Sequence, residues 1–239
     1  MSQFAVAGRA YNIDEDSLTR PGRETDRQKL IDDYHRLWYD ESVRGLTWGN
    51  MTYFGYKLWK MPSDLFLYQF LINSLRPGLL IETGTAFGGS ALYYAHVMDQ
   101  IGIGHVLTID LNEPQKPYPK HPRIEYFGGK SSTDFHVVRE VGKRVKWYGG
   151  PVVVSLDSNH AMEHVFDELQ RYSQFVTPAS YLVVEDENVN GHPVFPSHGP
   201  GPFEASEKFF GKHPEFVKDE RLPATMLFSM HGWYRKERR

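Results

Sequence analysis

Short apolar runs alternate with amphipathic segments from residue 79 onward. The runs of strand length are residues 79–81, 106–109, 124–127, 152–154 and 181–184. Between or after them, apolar positions recur at helical spacing in residues 89–100, 132–146, 162–176 and 204–213. Continuous apolar strands that alternate with helices are typical of a parallel sheet covered on both faces. The pattern therefore predicts an α/β fold with a doubly wound, mostly parallel sheet.

Both ends of the chain depart from this alternation. Residues 1–27 are polar and have no sustained period, so we expect a surface arm, followed by a helix over residues 24–39. Pro62-Ser63-Asp64 is typical of a helix start, and the apolar residues 65–75 continue it. The runs 215–221 and 224–236 are separated only by Leu222-Pro223, which predicts a C-terminal antiparallel hairpin edge. We expect an N-terminal extension over residues 1–62 and the main domain over residues 63–239.

Charge and composition exclude several classes of function. Lys and Arg total 27 against 30 Asp and Glu, and the formal net charge of −3 argues against binding nucleic acid or anionic membranes through bulk charge. The sequence contains no cysteine, which rules out disulfides, thiolate catalysis and cysteine-held metals. Neither an apolar leader nor an 18-residue apolar run is present, so we expect a cytoplasmic globular protein.

Candidate chemistry lies at the carboxyl ends of the predicted strands, where doubly wound sheets bind ligands. A glycine-rich loop, residues 82–90, follows the first strand, and Asp110 follows the second. The loop matches neither the dinucleotide fingerprint G-x-G-x-x-G nor a triphosphate-binding loop, and Glu82 disfavours a pyrophosphate. Asp110 is placed to accept both ribose hydroxyls of a nucleoside. The alternative is that the glycines only form ordinary strand-to-helix turns.

The succession of acid, glycine turn and second acid suits a nucleoside that carries positive charge, such as S-adenosylmethionine. Two serines at the end of the third strand are in register with this site. The predicted cofactor-binding residues are Glu82, Gly84, Thr85, Ser90, Asp110, Ser131 and Ser132.

A second acidic cluster follows the fourth and fifth strands. Asp157 ends the fourth strand and Glu185-Asp186 end the fifth, with no Lys or Arg beside them in the sequence. Converging carboxylates repel one another, and a divalent cation such as Mg²⁺ relieves that repulsion. Glu185 and Asp186 share an ion only if the chain turns after the strand, because adjacent strand residues face opposite sides. The alternative is that Asp157 caps a helix while the other two acids are solvated.

His160 is the predicted general base, with Asp157 beside it in the catalytic group. It lies three residues after Asp157, at the opening of the next predicted helix. The positive end of the helix dipole disfavours the protonated imidazole, so we expect a neutral side chain that accepts a proton near pH 7. A purely structural role at the helix start is the alternative.

Several segments of the chain follow one ordered motif. They are residues 62–65 (PSDL), Tyr68-Gln69, residues 80–95 (LIETGTAFGGSALYYA), 184–186 (VED), 188–194 (NVNGHPV) and 199–202 (GPGP). Over about residues 30–236 the sequence resembles the cephalosporin hydroxylase/rhamnosyl O-methyltransferase family.

The resemblance implies the Rossmann-like fold of class I S-adenosylmethionine-dependent methyltransferases. Members methylate sugar hydroxyls on natural products and glycolipids, or a hydroxyl on a cephem. By the same resemblance, Glu82, Gly84 and Asp110 fall on the methyl-donor site and Asp157, Glu185 and Asp186 on a magnesium site. The layout is also similar to catechol-type O-methyltransferases, except that His160 stands where those enzymes have a lysine.

These observations predict a metal-assisted O-methyltransferase of natural-product, including antibiotic, biosynthesis. Its expected partner is a small molecule with a sugar hydroxyl, such as a rhamnosyl unit. Alternatives are a non-sugar acceptor, an oxidoreductase on the same fold, and a non-catalytic binding protein. We expect a homo-oligomer, with most aromatics of residues 48–59 in the core or between copies rather than stacked on a substrate. Residues 187–203 are long enough for a substrate lid.

Overall fold

The computed structural model describes residues 2–6, 9–13, 23–43, 47–112, 116–220, 222 and 232–238. In chain order, the strands of the described residues are β1 (Ser2–Val6), β2 (Arg9–Ile13), β3 (Thr52–Tyr53), β4 (Tyr56–Lys57), β5 (Leu79–Thr83), β6 (His105–Ile109), β7 (Ile124–Phe127), β8 (Val152–Leu156), β9 (Tyr181–Val184), β10 (Phe216–Lys218) and β11 (Trp233–Lys236). Their α-helices are α1 (Arg23–Val43), α2 (Pro62–Leu75), α3 (Gly89–Ile101), α4 (Phe135–Tyr148), α5 (Met162–Tyr172) and α6 (Pro202–Phe210). Short 3₁₀ turns occur at Trp48–Asn50 and Ser173–Phe175.

One large sheet carries the fold. Among the described residues it has seven strands in the order β10-β11-β9-β8-β5-β6-β7. Strands β5 to β9 run parallel to one another, whereas β11 pairs antiparallel with both β9 and β10. The predicted parallel sheet with an antiparallel C-terminal edge is therefore confirmed.

The hairpin at this edge is connected differently from the prediction. Strand β10 ends at Lys218 and β11 begins at Trp233, so Leu222-Pro223 do not join the two strands alone. Most of the segment predicted as strand before Trp233, residues 223–231, lies outside the described residues. Apolar content alone could not locate the strand start here.

Apolar side chains leave the sheet on both faces, as the continuous apolar runs predict. On one face, Leu80 and Val153 pack with side chains of α2 and α3, such as Leu71 and Ala95. On the other face, the neighbouring strand residues pack with α4, α5 and α6: Leu79, Ile81, Val152, Val154, Val141, Leu169 and Phe209. Two helical layers thus cover the sheet and leave the carboxyl ends of its strands as the place for a site. No described helix has an apolar stretch long enough to cross a membrane.

The N-terminal segment contains more regular structure than the sequence pattern indicates. Strands β1 and β2 pair antiparallel inside the predicted arm, and α1 runs to Val43 rather than ending at residue 39. Helix α2 begins at Pro62, as predicted. Proline suits the first helical turn because it has no N–H to leave unpaired, and the Asp64 carboxylate accepts the backbone N–H of Met61 at 3.2 Å.

The loop between β9 and α6 is held by one carboxylate at the start of α6. Glu204 accepts hydrogen bonds from the Gly201 backbone N–H at 2.7 Å and from Asn190 Nδ2 at 2.8 Å. His192 Nε2 lies 3.0 Å from the same side chain. Burial acts to raise the pKa of Glu204, but these donors lower it to about 2.

Replacing Glu204 with Gln should lower the free energy of unfolding by about 1–2 kcal/mol at pH 7. Because the folded-state pKa lies below the ordinary value of 4.5, this contribution is complete above that pH. It is lost as the pH falls through 4.5 towards 2. Urea unfolding as a function of pH measures it, with exposed Glu207→Gln on the same helix as the matched control. A deficit that persists unchanged at pH 2.5 would contradict this assignment.

Candidate active site

A cleft of about 580 Å³ opens at the carboxyl ends of the parallel strands. Both predicted clusters meet in it, since its lining includes Gly84, Thr85, Ser90, Asp110, Ser131, Ser132, Asp157, His160 and Asp186. Two sequence-predicted residues are absent from that lining. Glu82 and Glu185 are buried beneath it.

Two glycines bring the loop after β5 against neighbouring backbone. A Cβ on Gly84, which has φ +90°, would lie 1.8 Å from the carbonyl oxygen of Asp157. A Cβ on Gly89 would lie 2.3 Å from the carbonyl oxygen of Lys57. No side chain fits at either position, so these glycines do more than form an ordinary turn. They press the loop against the strand end that carries Asp157 and against the N-terminal extension.

Asp110 holds the glycine loop from the end of β6. Its Oδ2 accepts the Ala86 backbone N–H at 2.8 Å and its Oδ1 accepts the Asn112 backbone N–H at 2.8 Å. Each carboxylate oxygen has a second lone pair for a hydroxyl donor in the cleft. The predicted ribose acceptor is therefore also part of the loop's support.

Glu82 supports this loop from below. The Thr108 hydroxyl donates to its Oε2 at 2.7 Å, and Thr108 in turn lies 2.8 Å from the Thr85 hydroxyl. Burial raises the pKa of Glu82 to about 7. Its second oxygen, Oε1, is buried and has no hydrogen-bond partner among the described residues. That oxygen is the part of Glu82 that is available to accept a hydrogen bond from a bound cofactor.

A polar network that the sequence reasoning missed joins two of the loops. His164 Nε2 lies 3.0 Å from the Ser158 hydroxyl and 3.3 Å from the Ser132 hydroxyl. Ser158 also donates to buried Glu168 at 2.8 Å. The hydrogen bond between His164 and Glu168 raises the pKa of His164. The network connects the loop after β7 to the loop that carries Asp157. Its only signal in the sequence was a histidine four residues before a glutamate on one helix.

Asp157, His160 and Asp186 converge at the centre of the cleft. His160 Nε2 lies 3.5 Å from Asp157 Oδ1 and 3.4 Å from Asp186 Oδ2, longer than normal N–H···O hydrogen bonds. The nitrogen is buried without a hydrogen-bond partner among the described residues. One ligand atom from each side chain lies within 4.8 Å of the others, as a shared cation requires. The donor set of two carboxylates and an imidazole fits a divalent cation.

The turn predicted after β9 is present, but it separates the two adjacent acids. Asp186 has φ +56°, a left-handed conformation that is unusual for a residue other than glycine, and its side chain faces the cleft. Glu185 remains on the opposite side, where it accepts a short hydrogen bond from the Tyr68 hydroxyl. Of the three acids predicted to share an ion, the structure brings together Asp157 and Asp186, with His160 as the third group.

The expectation that no lysine or arginine accompanies these acids is wrong. Lys60, whose side chain is only 3% exposed, lies with its Nζ 2.7 Å from Asp157 Oδ2 and 3.1 Å from Glu185 Oε1. It precedes α2 and is separated from Asp157 by 97 positions. No local pattern could place it there. One internal cation therefore offsets part of the negative charge of the three carboxylates.

The charges in the cleft shift one another's pKa values. Burial acts to raise the pKa of Asp157, but Lys60 and His160 hold it below its ordinary value. Burial raises the pKa of Asp186 to about 6 although His160 opposes this. Burial acts to lower the pKa of His160, yet Asp186 and Asp157 raise it to about 9. The expectation of a neutral His160 at pH 7 is therefore wrong for the cation-free protein, since two carboxylates outweigh the helix dipole.

Comparison with known proteins places these features in a family context. The family model "Rhamnosyl O-methyltransferase/CmcI" matches residues 46–237. The rhamnosyl O-methyltransferase of Mycobacterium tuberculosis (strain H37Rv) is 38% identical over 193 residues, which are 80% of this chain and 77% of that protein. An apo structure of CmcI aligns with a TM-score of 0.62 at 19% identity, and a structure of CmcI with Mg and SAM aligns with a TM-score of 0.60 at 19% identity. Each alignment covers 79% of this chain and 77% of the other, and this likeness shows the shared fold.

Proposed function

The chain belongs to the rhamnosyl O-methyltransferase/CmcI family, and we propose that it transfers a methyl group from S-adenosylmethionine to a sugar hydroxyl with the help of a divalent cation. Membership makes it an S-adenosylmethionine-dependent O-methyltransferase. The sugar acceptor and the role of the cation are the parts that we infer.

One observation carries the proposal. Asp157, His160 and Asp186 converge in the same cleft as the glycine loop and Asp110. A nucleoside-binding side and a cation-binding side thus face one space, as transfer between a bound donor and a bound acceptor requires. A non-catalytic binding protein on this fold has no need of the second cluster.

On the donor side, Asp110 would accept hydrogen bonds from the ribose hydroxyls, and the loop from Gly84 to Ser90 would hold the methionine end. Ser131 and Ser132 close the far wall, which the His164 network holds in place. S-adenosylmethionine supplies a methyl group on a positively charged sulfur. The carboxylate of Asp110 makes this side of the cleft suitable for a cation rather than for a pyrophosphate, and Glu82 lies buried beneath it.

On the acceptor side, Asp157 and Asp186 would hold the cation, and His160 would accept the proton of the acceptor hydroxyl. Mg²⁺, which prefers oxygen ligands, would lower the pKa of that hydroxyl when bound. Carboxylate oxygens are harder ligands than an imidazole nitrogen, so we assign the cation to the two carboxylates. This leaves His160 as the base. Lys60 keeps Asp157 ionised and fixes one of its oxygens, so that the other is presented to the cleft.

The proposed acceptor is a sugar hydroxyl because the relatives at 36–38% identity are named rhamnosyl O-methyltransferases. A rhamnosyl unit or a related deoxysugar on a larger molecule fits that name. The second candidate, a non-sugar hydroxyl, rests on the CmcI part of the family description.

Replacing Asp110 with Ala should weaken binding of S-adenosylhomocysteine at least tenfold. The variant loses an acceptor for two ribose hydroxyls together with the tether of the Ala86 backbone. Isothermal titration calorimetry measures this affinity directly. The affinity of Asp110→Asn, which keeps one acceptor oxygen, should lie between those of Asp110→Ala and the wild type.

Asp167→Asn is the matched control, since Asp167 lies on α5 outside the cleft and pairs with Arg171. Unchanged affinity in Asp110→Ala would refute the donor-site assignment. A wild-type protein that binds the ligand but methylates no glycoside in the presence of Mg²⁺ would instead refute the acceptor assignment.

A further inference from the structure

Aromatic side chains form one wall of the cleft. Trp59 and Phe87 are 45% and 38% exposed, and both line the cleft. Their rings meet edge to face with centroids 4.8 Å apart. Trp48 packs edge to face on Trp59 at 5.8 Å, and Tyr39 packs on Trp48 at 5.7 Å. We call these four side chains the aromatic wall.

The aromatic wall is fixed relative to the cation-binding residues. Trp59 directly precedes Lys60, whose Nζ pairs with Asp157 at 2.7 Å. Phe87 belongs to the glycine loop, which Gly89 brings into contact with the backbone of Lys57. Tyr39 lines the same cleft as Asp157 and Asp186. The wall therefore begins beside the carboxylates rather than at a distant part of the rim.

The exposed aromatic area needs an explanation inside a charged cleft. Aromatic rings with this exposure leave apolar surface in water, which is unfavourable unless a ligand covers it. Tyr53, Phe54 and Tyr56 differ from Trp59 because they do not line the cleft. Tyr53 packs on Tyr93 and His96 instead. Trp48 and Trp59 are therefore the aromatics of residues 48–59 that a ligand in the cleft can reach.

We propose that Trp59 and Phe87 form the acceptor subsite and bind the C–H face of the sugar ring that carries the reacting hydroxyl. This inference rests on the proposed function and deepens it. A pyranose has hydroxyl edges and patches of C–H bonds on its faces, so one ring can stack on an indole while a hydroxyl points to the cation-binding residues. A stacked ring also has restricted rotation, which selects one hydroxyl over its neighbours.

An aglycone is the rival occupant of the aromatic wall. The position of Trp59 next to Lys60 favours the ring that is methylated, since a distant group would lie farther from Asp157. The two occupants differ in what a truncated acceptor should show. A methyl glycoside retains the sugar face but has no aromatic aglycone, whereas a 4-nitrophenyl glycoside has both.

Methyl transfer to methyl α-rhamnoside and to 4-nitrophenyl α-rhamnoside tests the proposal, at saturating S-adenosylmethionine and Mg²⁺. Trp59→Ala should raise KM at least tenfold for both glycosides, with kcat changed less than about threefold. Trp59→Phe should recover most of the loss. The dissociation constant for S-adenosylhomocysteine should stay within about twofold of wild type in both variants, which separates the subsite from a general disturbance of the cleft.

Trp147→Ala is the matched control, because Trp147 is 82% exposed on α4 and does not line the cleft. Equal KM values in Trp59→Ala and wild type would overturn the proposal. An increase confined to the nitrophenyl glycoside would overturn it in favour of the aglycone. Thermal melts show whether Trp59→Ala is folded. If Trp59→Ala does not fold, Trp59→Phe still tests the proposal, because it should show a smaller but measurable increase in KM.

Binding without turnover separates this inference from the proposed function. With S-adenosylhomocysteine and Mg²⁺ bound, methyl α-rhamnoside should quench tryptophan fluorescence in the wild type and much less in Trp59→Phe. Quenching without methyl transfer would refute the proposed reaction and leave the subsite standing. Methyl transfer with identical quenching in both proteins would refute the subsite alone.

Discussion

Replacing Asp186 with Asn will remove most divalent-cation binding and lower kcat by at least about 10³-fold at neutral pH. Asp186 is one of two carboxylates at the point where the cation-binding atoms converge, and its Oδ2 lies 3.4 Å from His160 Nε2. Loss of a supporting contact at a metal site costs about 10–100-fold in affinity or activity, so loss of a direct ligand should cost more. Calorimetric titration with Mg²⁺ and initial rates over a range of Mg²⁺ concentrations measure the two effects.

Glu185→Gln is the matched comparison, because it alters the adjacent acid, which faces Tyr68 and Lys60 instead of the cleft. We expect its dissociation constant for Mg²⁺ to stay within about tenfold of wild type, as for a residue that acts through another. A loss in Glu185→Gln as large as in Asp186→Asn would restore the sequence-based prediction that all three acids bind the ion. Full turnover of the wild type after exhaustive EDTA treatment would refute the cation requirement altogether.

Replacing His160 with Ala will lower kcat by about 10²–10⁴-fold while cation and donor affinities remain close to wild type. The side chain lies beside both cation-binding carboxylates, and its Nε2 has no hydrogen-bond partner among the described residues. Exposed His136 on α4 supplies the control substitution, His136→Ala. Loss of Mg²⁺ binding in His160→Ala would show that the imidazole is a ligand, and a carboxylate would then be the next candidate for the base.

The pH dependence of the wild type follows from the charge around His160. In the cation-free protein its pKa is raised to about 9, so the imidazole is protonated at pH 7 and cannot accept a proton. A divalent cation near the same carboxylates opposes that protonation and lowers the pKa. The rising limb of kcat against pH should therefore move to lower pH as the Mg²⁺ concentration increases. A limb that stays fixed at all Mg²⁺ concentrations would contradict this coupling.

Local pattern was sufficient for much of the fold. The apolar runs located β5, β6, β8 and β9 because buried parallel strands have no polar face to interrupt them, and they also located β7, whose residues are half-buried. Strand-end position located Gly84, Asp110, Asp157 and Asp186, since parallel strands deliver their ends to one edge of the sheet. What was missed depends on conformation beyond the strand end. A single left-handed residue, Asp186, turns towards the cleft, whereas Glu185 is buried against Tyr68 and Lys60.

Contacts between distant segments were beyond any local pattern. Lys60, Trp48 and Trp59 come from the segment before α2, where no periodicity marks them as part of the site, and Trp59 meets Phe87 of the glycine loop only in the folded chain. The His164 network joins two loops through the hydroxyls of Ser132 and Ser158, residues that look like ordinary turn formers in the sequence. Such partners become visible only when packing has brought the loops together.

The Lys60–Asp157 pair also bears on how the chain assembles. The two residues are 97 positions apart, and Lys60, only 3% exposed, lacks this counterion until the segment before α2 reaches the end of β8. A buried charge without its partner is strongly destabilising. The acidic edge is therefore completed by a long-range step that closes a loop of 97 positions in a chain of 239 residues, and such steps are slow. Cutting the chain at residue 62, the predicted boundary of the main domain, would remove that lysine. Asp157 and Glu185 at the edge of the sheet would then lose their shared positive partner.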